Sequence, residues 1–288
     1  MSIATSQQIT KFYATFMSID VTFTKEVVMA TGLLPQNVFV KCIGEQWPCV
    51  VYSSSFAGAK VLIASKRSLM ERIQKANGSV SLRLSFKLAG KTDPVSFFIS
   101  GKAAGFAPYA QSKGTLQFMN LQYTQRPPDD FVEIMGRMLE ANVNSARRRE
   151  ERIALTPDSI RKIGLARKET IIIIQGVPRR CIIRDLSFSG AKLIIVGLAK
   201  FLVGKDCRLR IDIDEPRETI EIPGKVVRYE DVQGRKDLTA IAVHFDEATV
   251  PMSYKMHIND YLGQIKVPQG EDPPAGRDPI PSKPAEVV

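Results

Sequence analysis

Residues 181–196 read CIIRDLSFSGAKLIIV, in which Asp185, Ser187 and Gly190 interrupt two runs of β-branched apolar residues. A carboxylate, a hydroxyl and a glycine at that spacing can close a β-hairpin or bulge. Asp185 and Ser187 would then bond their own backbone, and Gly190 would supply a positive φ. A polar ligand is the other use for such groups, and the distribution of charge bears on it. From Arg147 to Arg184, eleven Lys and Arg stand against Glu150, Glu151, Asp158 and Glu169, so this window carries +7 of the chain's net +10. A solvated basic face and a polyanion site both fit such a run.

Other chemistries find few residues to support them. His244 and His257 have no metal-ligand spacing and read as structural residues of a strand and a helix. The segment GLAKFLVGKD (197–206) has the wrong spacing for a phosphate loop, and no Ser or Thr follows Lys205. Cys42, Cys49, Cys181 and Cys207 form no CxxC pair and read as buried thiols rather than a zinc site or disulfide framework. The expectation is a binding protein without catalytic residues, metal or cofactor. No window reaches the roughly 18 uninterrupted apolar residues of a membrane span, and MSIATSQQITKFY lacks the pattern of a signal peptide, so a cytoplasmic location is expected.

The elements that must position these residues occur twice. CVVYSSSFAGAKVLIA (49–64) aligns with 181–196 without a gap, with seven identities in sixteen positions. Downstream, SLRLSF (81–86) matches CRLRID (207–212), and FFISGKAAGF (97–106) matches IEIPGKVVRY (220–229). Each copy adds one apolar strand, GTLQFMNLQY or TAIAVHFDE, and closes with a helical segment, 127–143 or 250–265. In the first helix Phe131, Ile134, Met135, Met138 and Leu139 share one face, and Asp129 and Asp130 stand where an N-cap belongs. The fold expected is mainly β: two tandem antiparallel β-barrels, each closed by a C-terminal α-helix. Their spans are 1–143 and 144–267, followed by a Pro- and charge-rich tail over 268–288 that composition marks as disordered.

The copies differ where polar chemistry would sit. Tyr52 and Ser53 of the first become Arg184 and Asp185 of the second, while Ser55, Phe56, Gly58 and Lys60 are retained as Ser187, Phe188, Gly190 and Lys192. Only the second copy is preceded by an Arg cluster, RRREER (147–152). Arg148-x-x-x-Arg152 followed by Asp185-x-Ser187-x-x-Gly190 resembles the two-part signature of PilZ domains, bacterial receptors for cyclic di-GMP. The resemblance covers about residues 145–265. The whole chain is similar to the two-domain PilZ receptors of spirochaetes and, more loosely, to flagellar-brake proteins, in which a PilZ-like domain precedes the binding domain. The gap from Arg152 to Asp185 is longer than usual for the family, which suggests a longer hairpin around RKIGLARKET (161–170).

That resemblance implies cyclic di-GMP as the ligand, with two guanines and two phosphates to satisfy. Arg148 and Arg152 would donate bidentate hydrogen bonds to guanine O6 and N7 or to phosphate oxygens, and could stack on a purine. Asp185 would accept from guanine N1 and N2, Ser187 would add a hydroxyl, and Gly190 would let the base approach the backbone. Arg149 and Arg184 are neighbours that could assist. The first copy, lacking the arginines, is expected not to bind. Ligand at the Arg linker would reorient the domains and so control a protein partner, a flagellar component for example, in motility or virulence. The alternative is a nucleic-acid-binding barrel that uses the same basic window, with Phe188 and Tyr229 as stacking platforms. Asp185 argues against it, because an acid facing a polyanion is repelled.

Overall fold

A computed structural model describes residues 4–265 except 89, 198, 215 and 216. The proposed disordered tail over 268–288 lies outside the described residues.

The first half runs α1 (Ser6–Phe16), β1 (Val21–Thr22), α2 (Lys25–Thr31), β2 (Phe39–Cys42), β3 (Glu45–Ser54), β4 (Gly58–Ala64), α3 (Arg67–Lys75), β5 (Ser79–Phe86), β6 (Val95–Pro108), β7 (Leu116–Tyr123) and α4 (Asp129–Arg147). The second runs β8 (Ile153–Ala154), α5 (Pro157–Ile163), β9 (Glu169–Ile174), β10 (Val177–Leu186), β11 (Gly190–Val196), β12 (Asp206–Ile213), β13 (Glu218–Val232), β14 (Arg235–Phe245) and α6 (Met252–Ile265). The strand order is β1-β3-β2-β5-β6-β7-β4 in one sheet and β8-β10-β9-β12-β13-β14-β11 in the other. Pairing of β3 with β4, and of β10 with β11, closes each into a six-stranded antiparallel barrel with one short extra strand. Closure leaves the barrel strands no open edge. The alternation read from the sequence fills the interior: Cys181, Ile183, Leu193, Ile195, Leu209 and Ile211 point inward and are buried.

Each closing helix stoppers its barrel with the apolar face visible in sequence. Phe131 and Met135 of α4, and Tyr254, Ile258 and Leu262 of α6, are buried there. Asp129 and Asp130 are not the N-cap of α4. Pro128 holds that position without a side-chain bond, and the two acids lie in the first turn, where they face the positive end of the helix dipole. Asp129 also pairs with Arg126 at 3.0 Å. The helix continues to Arg147, past the point where its apolar periodicity fades.

The long gap before Asp185 is not filled by a longer hairpin. Thr156 and Ser159 form a reciprocal capping box, Pro157 occupies the first turn, and Gly164 ends the segment at φ +82°, so the seven-residue helix α5 stands within the gap. The first half carries the same unit: Thr24 caps α2 and Gly32 ends it at φ +71°. The repeat spacing of 132 residues therefore extends upstream without a gap, pairing Thr24 with Thr156 and Gly32 with Gly164.

The halves meet along α4, α2 and α6. Asn144 Nδ2 donates to Asn259 Oδ1 at 2.7 Å, and the Met252 N–H donates to Glu26 at 2.5 Å. Arg137 lies between Glu133 of its own helix at 2.7 Å and Asp260 of α6 at 3.6 Å. Burial raises the Asp260 carboxyl above the usual carboxylate range, with the Arg137 charge opposing. All four cysteines are buried free thiols, and burial pushes those of Cys49, Cys181 and Cys207 up to about 12.

Candidate functional site at the arginine linker

Asp185 leaves the barrel wall because β10 is bulged. Its pairing with β11 runs in step to Ile183, skips Arg184 and resumes with Asp185 opposite Lys192. A bulge turns two successive side chains outward. On the other side β8 pairs Ala154 with Asp185, which brings the linker alongside. Arg152, the residue before β8, donates from Nη1 to Asp185 Oδ1 at 2.5 Å. The Asp185 side chain is 20% exposed and that of Arg152 is 41% exposed, so both remain open to a ligand.

The other linker residues are held by acids of the chain itself. Arg148 forms the C-cap of α4, its N–H donating to Asn144 O at 2.8 Å. Its guanidinium grips Glu151 with two bonds, at 2.6 and 2.8 Å. Arg149 pairs with Glu247 and lies 3.3 Å from His244 Nε2. Arg184 is exposed on the wall and makes no ion pair among the described residues. Thus Arg152 and Asp185 are in direct contact, while Arg148 and Arg149 are held by other acids and Arg184 stands exposed on the wall.

Ser187 and Gly190 have a different place. Ser187 is fully buried, and its Oγ accepts from the Gly190 N–H at 3.1 Å. Its own N–H donates to Gly190 O at 2.8 Å. The turn read from the sequence is therefore present for Ser187, whereas Asp185 bonds Arg152 rather than its own backbone. Gly190 does not supply a positive φ. A Cβ there would meet the Val243 carbonyl at 2.3 Å, so glycine is required by the approach of β14. Ser55 and Gly58 form the same turn in the first barrel, with the Leu121 carbonyl 2.4 Å from the missing Cβ. Retention of Ser and Gly in both copies thus follows from turn geometry. Phe188 is 3% exposed inside the core, which removes it as a stacking platform for nucleic acid.

Two supports were missed in the sequence. Tyr254 of α6 donates to Ser187 O at 2.7 Å and packs edge-on against Phe245, so the closing helix holds the turn from beneath. Burial pushes its hydroxyl far above the usual tyrosine value, and the Asp185 charge adds to the shift. Tyr254, Ile258 and Leu262 recur at i, i+4, i+8, and the one polar tip on that stripe was the available signal. The second support is Glu150, which accepts from Ser189 Oγ at 3.1 Å and ties the linker to the turn. Beside it lies a cleft of about 210 Å³ lined by Glu150, Arg152, Ser189, the Val227–Arg228 pair, and Ala242 to His244 of β14.

Two barrels in tandem, with an arginine linker beside a DxSxxG turn on the second alone, define a class of protein. Residues 7–142 match the PilZN3 domain and residues 146–264 the PilZ domain. The chain belongs to the two-domain PilZ proteins. It is 44% identical over 271 residues to a Treponema denticola protein named cyclic di-GMP binding protein, covering 94% of this chain and 86% of that one. Among solved structures, the Borreliella burgdorferi PlzA protein in complex with c-di-GMP matches at 22% identity and a TM-score of 0.40, over 89% of this chain and 98% of that one. The Bacillus subtilis inhibitor of motility MotI/DgrA matches at 14% identity and a TM-score of 0.30, over 82% and 99%. No helix among the described residues is long and apolar enough to cross a membrane.

Proposed function

We propose that this chain is a cyclic di-GMP receptor whose second barrel binds the ligand through Arg148, Arg152 and Asp185. The observation that carries the reading is the contact between Arg152 and Asp185, a donor fork and an acceptor 2.5 Å apart on an open face. Guanine has two acceptors, O6 and N7, on one edge and donors at N1 and N2 on the next, so an arginine and a carboxylate side by side match one base. The first barrel has Phe16, Asp20 and Ser53 at the positions of Arg148, Arg152 and Asp185, and lacks that match. Ser187 and Gly190 shape the turn, and Arg149 and Arg184 add positive charge around it. The named activity of the Treponema denticola relative supports the same ligand.

The remainder of the reading concerns output. Arg148 caps the helix whose flank packs on α6, so ligand contacts act on the segment that joins the barrels. Binding changes their relative orientation and thereby exposes or hides a surface for a protein partner, a flagellar component for example, in motility or virulence. The chain acts by binding rather than by catalysis, and in the cytoplasm. Calorimetric titration with cyclic di-GMP, with GTP and single-stranded DNA as controls, tests the reading. Saturable binding of cyclic di-GMP with a Kd between about 10 µM and tens of nM is expected. Heats indistinguishable from dilution, or equal affinity for single-stranded DNA, would overturn it.

A further inference from the structure

The cleft beside Arg152 has a far wall to which no motif assigns a role. Strand β13 is bulged there: its pairing with β14 runs from Val226 opposite Val243 directly to Arg228 opposite Ala242. Val227 and Arg228 consequently both face outward, beside the cleft that Arg152, Glu150 and Ser189 border from the other side. The Arg228 side chain is 63% exposed, and among the described residues its one ion pair is a long contact of 3.5 Å with Glu230. Glu230 is itself held by Lys192 at 2.7 Å. A guanidinium therefore stands at the lip with its fork available, and its anchor leads back to the strand after the DxSxxG turn. The floor under it is Ala242, whose side chain is one methyl group.

The internal repeat supplies an independent observation. Strand β6 of the first barrel has the matching bulge, with Ala103 opposite Leu121 and Gly105 opposite Asn120. Ala104 and Gly105 thus occupy the places of Val227 and Arg228. Ala57 replaces Ser189, and Gln122 replaces His244 across the glycine. The bulge is kept while Val227, Arg228 and Ser189 give way to Ala104, Gly105 and Ala57, in the same copy that carries Phe16, Asp20 and Ser53 for Arg148, Arg152 and Asp185. A wall that served barrel packing would have been kept with the Ser, the Gly and the bulge. One that served a ligand would vanish with the arginines.

We infer that this cleft is a subsite for one guanine of cyclic di-GMP, in which Arg228 donates to the base edge or stacks on its face and Val227 packs against its plane. The inference rests on the proposed function. Pockets that bury a whole drug-sized ligand span roughly 300 to 1,000 Å³. At about 210 Å³ the cleft suits one planar base, with the sugar and phosphates left at the linker. An arginine fork can bond O6 and N7 together, which an ammonium cannot do.

The test is cyclic di-GMP titration of the full chain and of its Arg228→Ala, Arg228→Lys, Val227→Ala and Arg152→Ala variants, at about 0.15 M and 0.5 M salt. Arg228→Ala should weaken binding at least tenfold at both salt concentrations. Arg228→Lys should recover less than half of that loss on a logarithmic scale, Val227→Ala should weaken binding severalfold, and melting temperatures should be unchanged. If Arg152→Ala loses binding while Arg228→Ala retains wild-type affinity, the subsite is wrong and the receptor reading stands. If the Arg228→Ala defect disappears at 0.5 M salt, or Arg228→Lys is fully active, Arg228 contributes only net charge and the inference is overturned. If the wild-type chain binds no cyclic di-GMP, the receptor reading itself has failed.

Discussion

Replacing Arg152 by Ala separates what the Arg152–Asp185 contact does for the fold from what it does for a ligand. In the free protein the pair is partly exposed, with 41% of one side chain and 20% of the other open to solvent. Ion pairs in such surroundings contribute about 0 to 1 kcal/mol, because water screens the attraction and two long side chains lose freedom. In a chain of this size 1 kcal/mol moves the melting temperature by roughly 2 to 4 °C, so Arg152→Ala should melt within about 4 °C of wild type. A bidentate guanine contact is worth roughly 1 to 3 kcal/mol, or a loss of about 5- to 150-fold in affinity. Arg152→Lys keeps the charge and loses the fork, so it should resemble Ala in binding. Asp185→Asn keeps the shape but replaces one acceptor oxygen with a donor, and should also bind weakly. The double variant should bind no worse than about the sum of the single losses, because both side chains address one base. Calorimetry and thermal melting on the same samples give both readouts. Unchanged affinity in Arg152→Ala would refute the site, and a fall in melting temperature of more than about 10 °C would show that the pair is structural.

Three further outcomes follow from the geometry. Tyr254→Phe leaves Ser187 O without its donor in a buried setting, which should lower stability by about 1 to 3 kcal/mol in denaturant unfolding and loosen the turn; unchanged stability would mean that the bond at 2.7 Å carries no weight. The Cys49, Cys181 and Cys207 thiols lie at about 12 in the fold against about 9 when exposed, so the unfolded chain releases protons first; their stabilisation is complete below pH 9 and lost between pH 9 and 12, and melts of Cys181→Ala should show a shallower alkaline decline than wild type. Cyclic di-GMP should alter small-angle scattering and slow amide exchange across 140–155, since a ligand shifts an equilibrium only by its differential affinity for the two arrangements; superimposable curves with equal protection would refute the switch.

How far the sequence revealed this molecule follows from which constraints are local. Strand alternation and the apolar faces of the closing helices act within a few residues, so two barrels, each closed by a helix, were legible. The segment around RKIGLARKET was misread for a related reason. Its apolar residues are too few for a helical period, and its helix is specified by the ends, through the Thr156 and Ser159 capping box and the left-handed Gly164. The same signals around Thr24 and Gly32 would have exposed it, had the repeat been followed upstream of Cys49. Gly190 shows the limit of local reading most clearly. In sequence its only visible property is freedom in φ, whereas the structure requires it because a carbonyl 53 residues away, that of Val243, occupies the space of its side chain. Arg228 and Tyr254 were hidden in the same way, since register across β13 and β14 and the seating of α6 bring them to the turn. What the repeat adds is a control within one chain. Two copies of one barrel share the packing demands, so residues that both retain answer to the fold, as Ser187 and Gly190 do. Residues that only one retains require another reason, and among those of the second barrel Arg152 and Asp185 stand in direct contact on an open face.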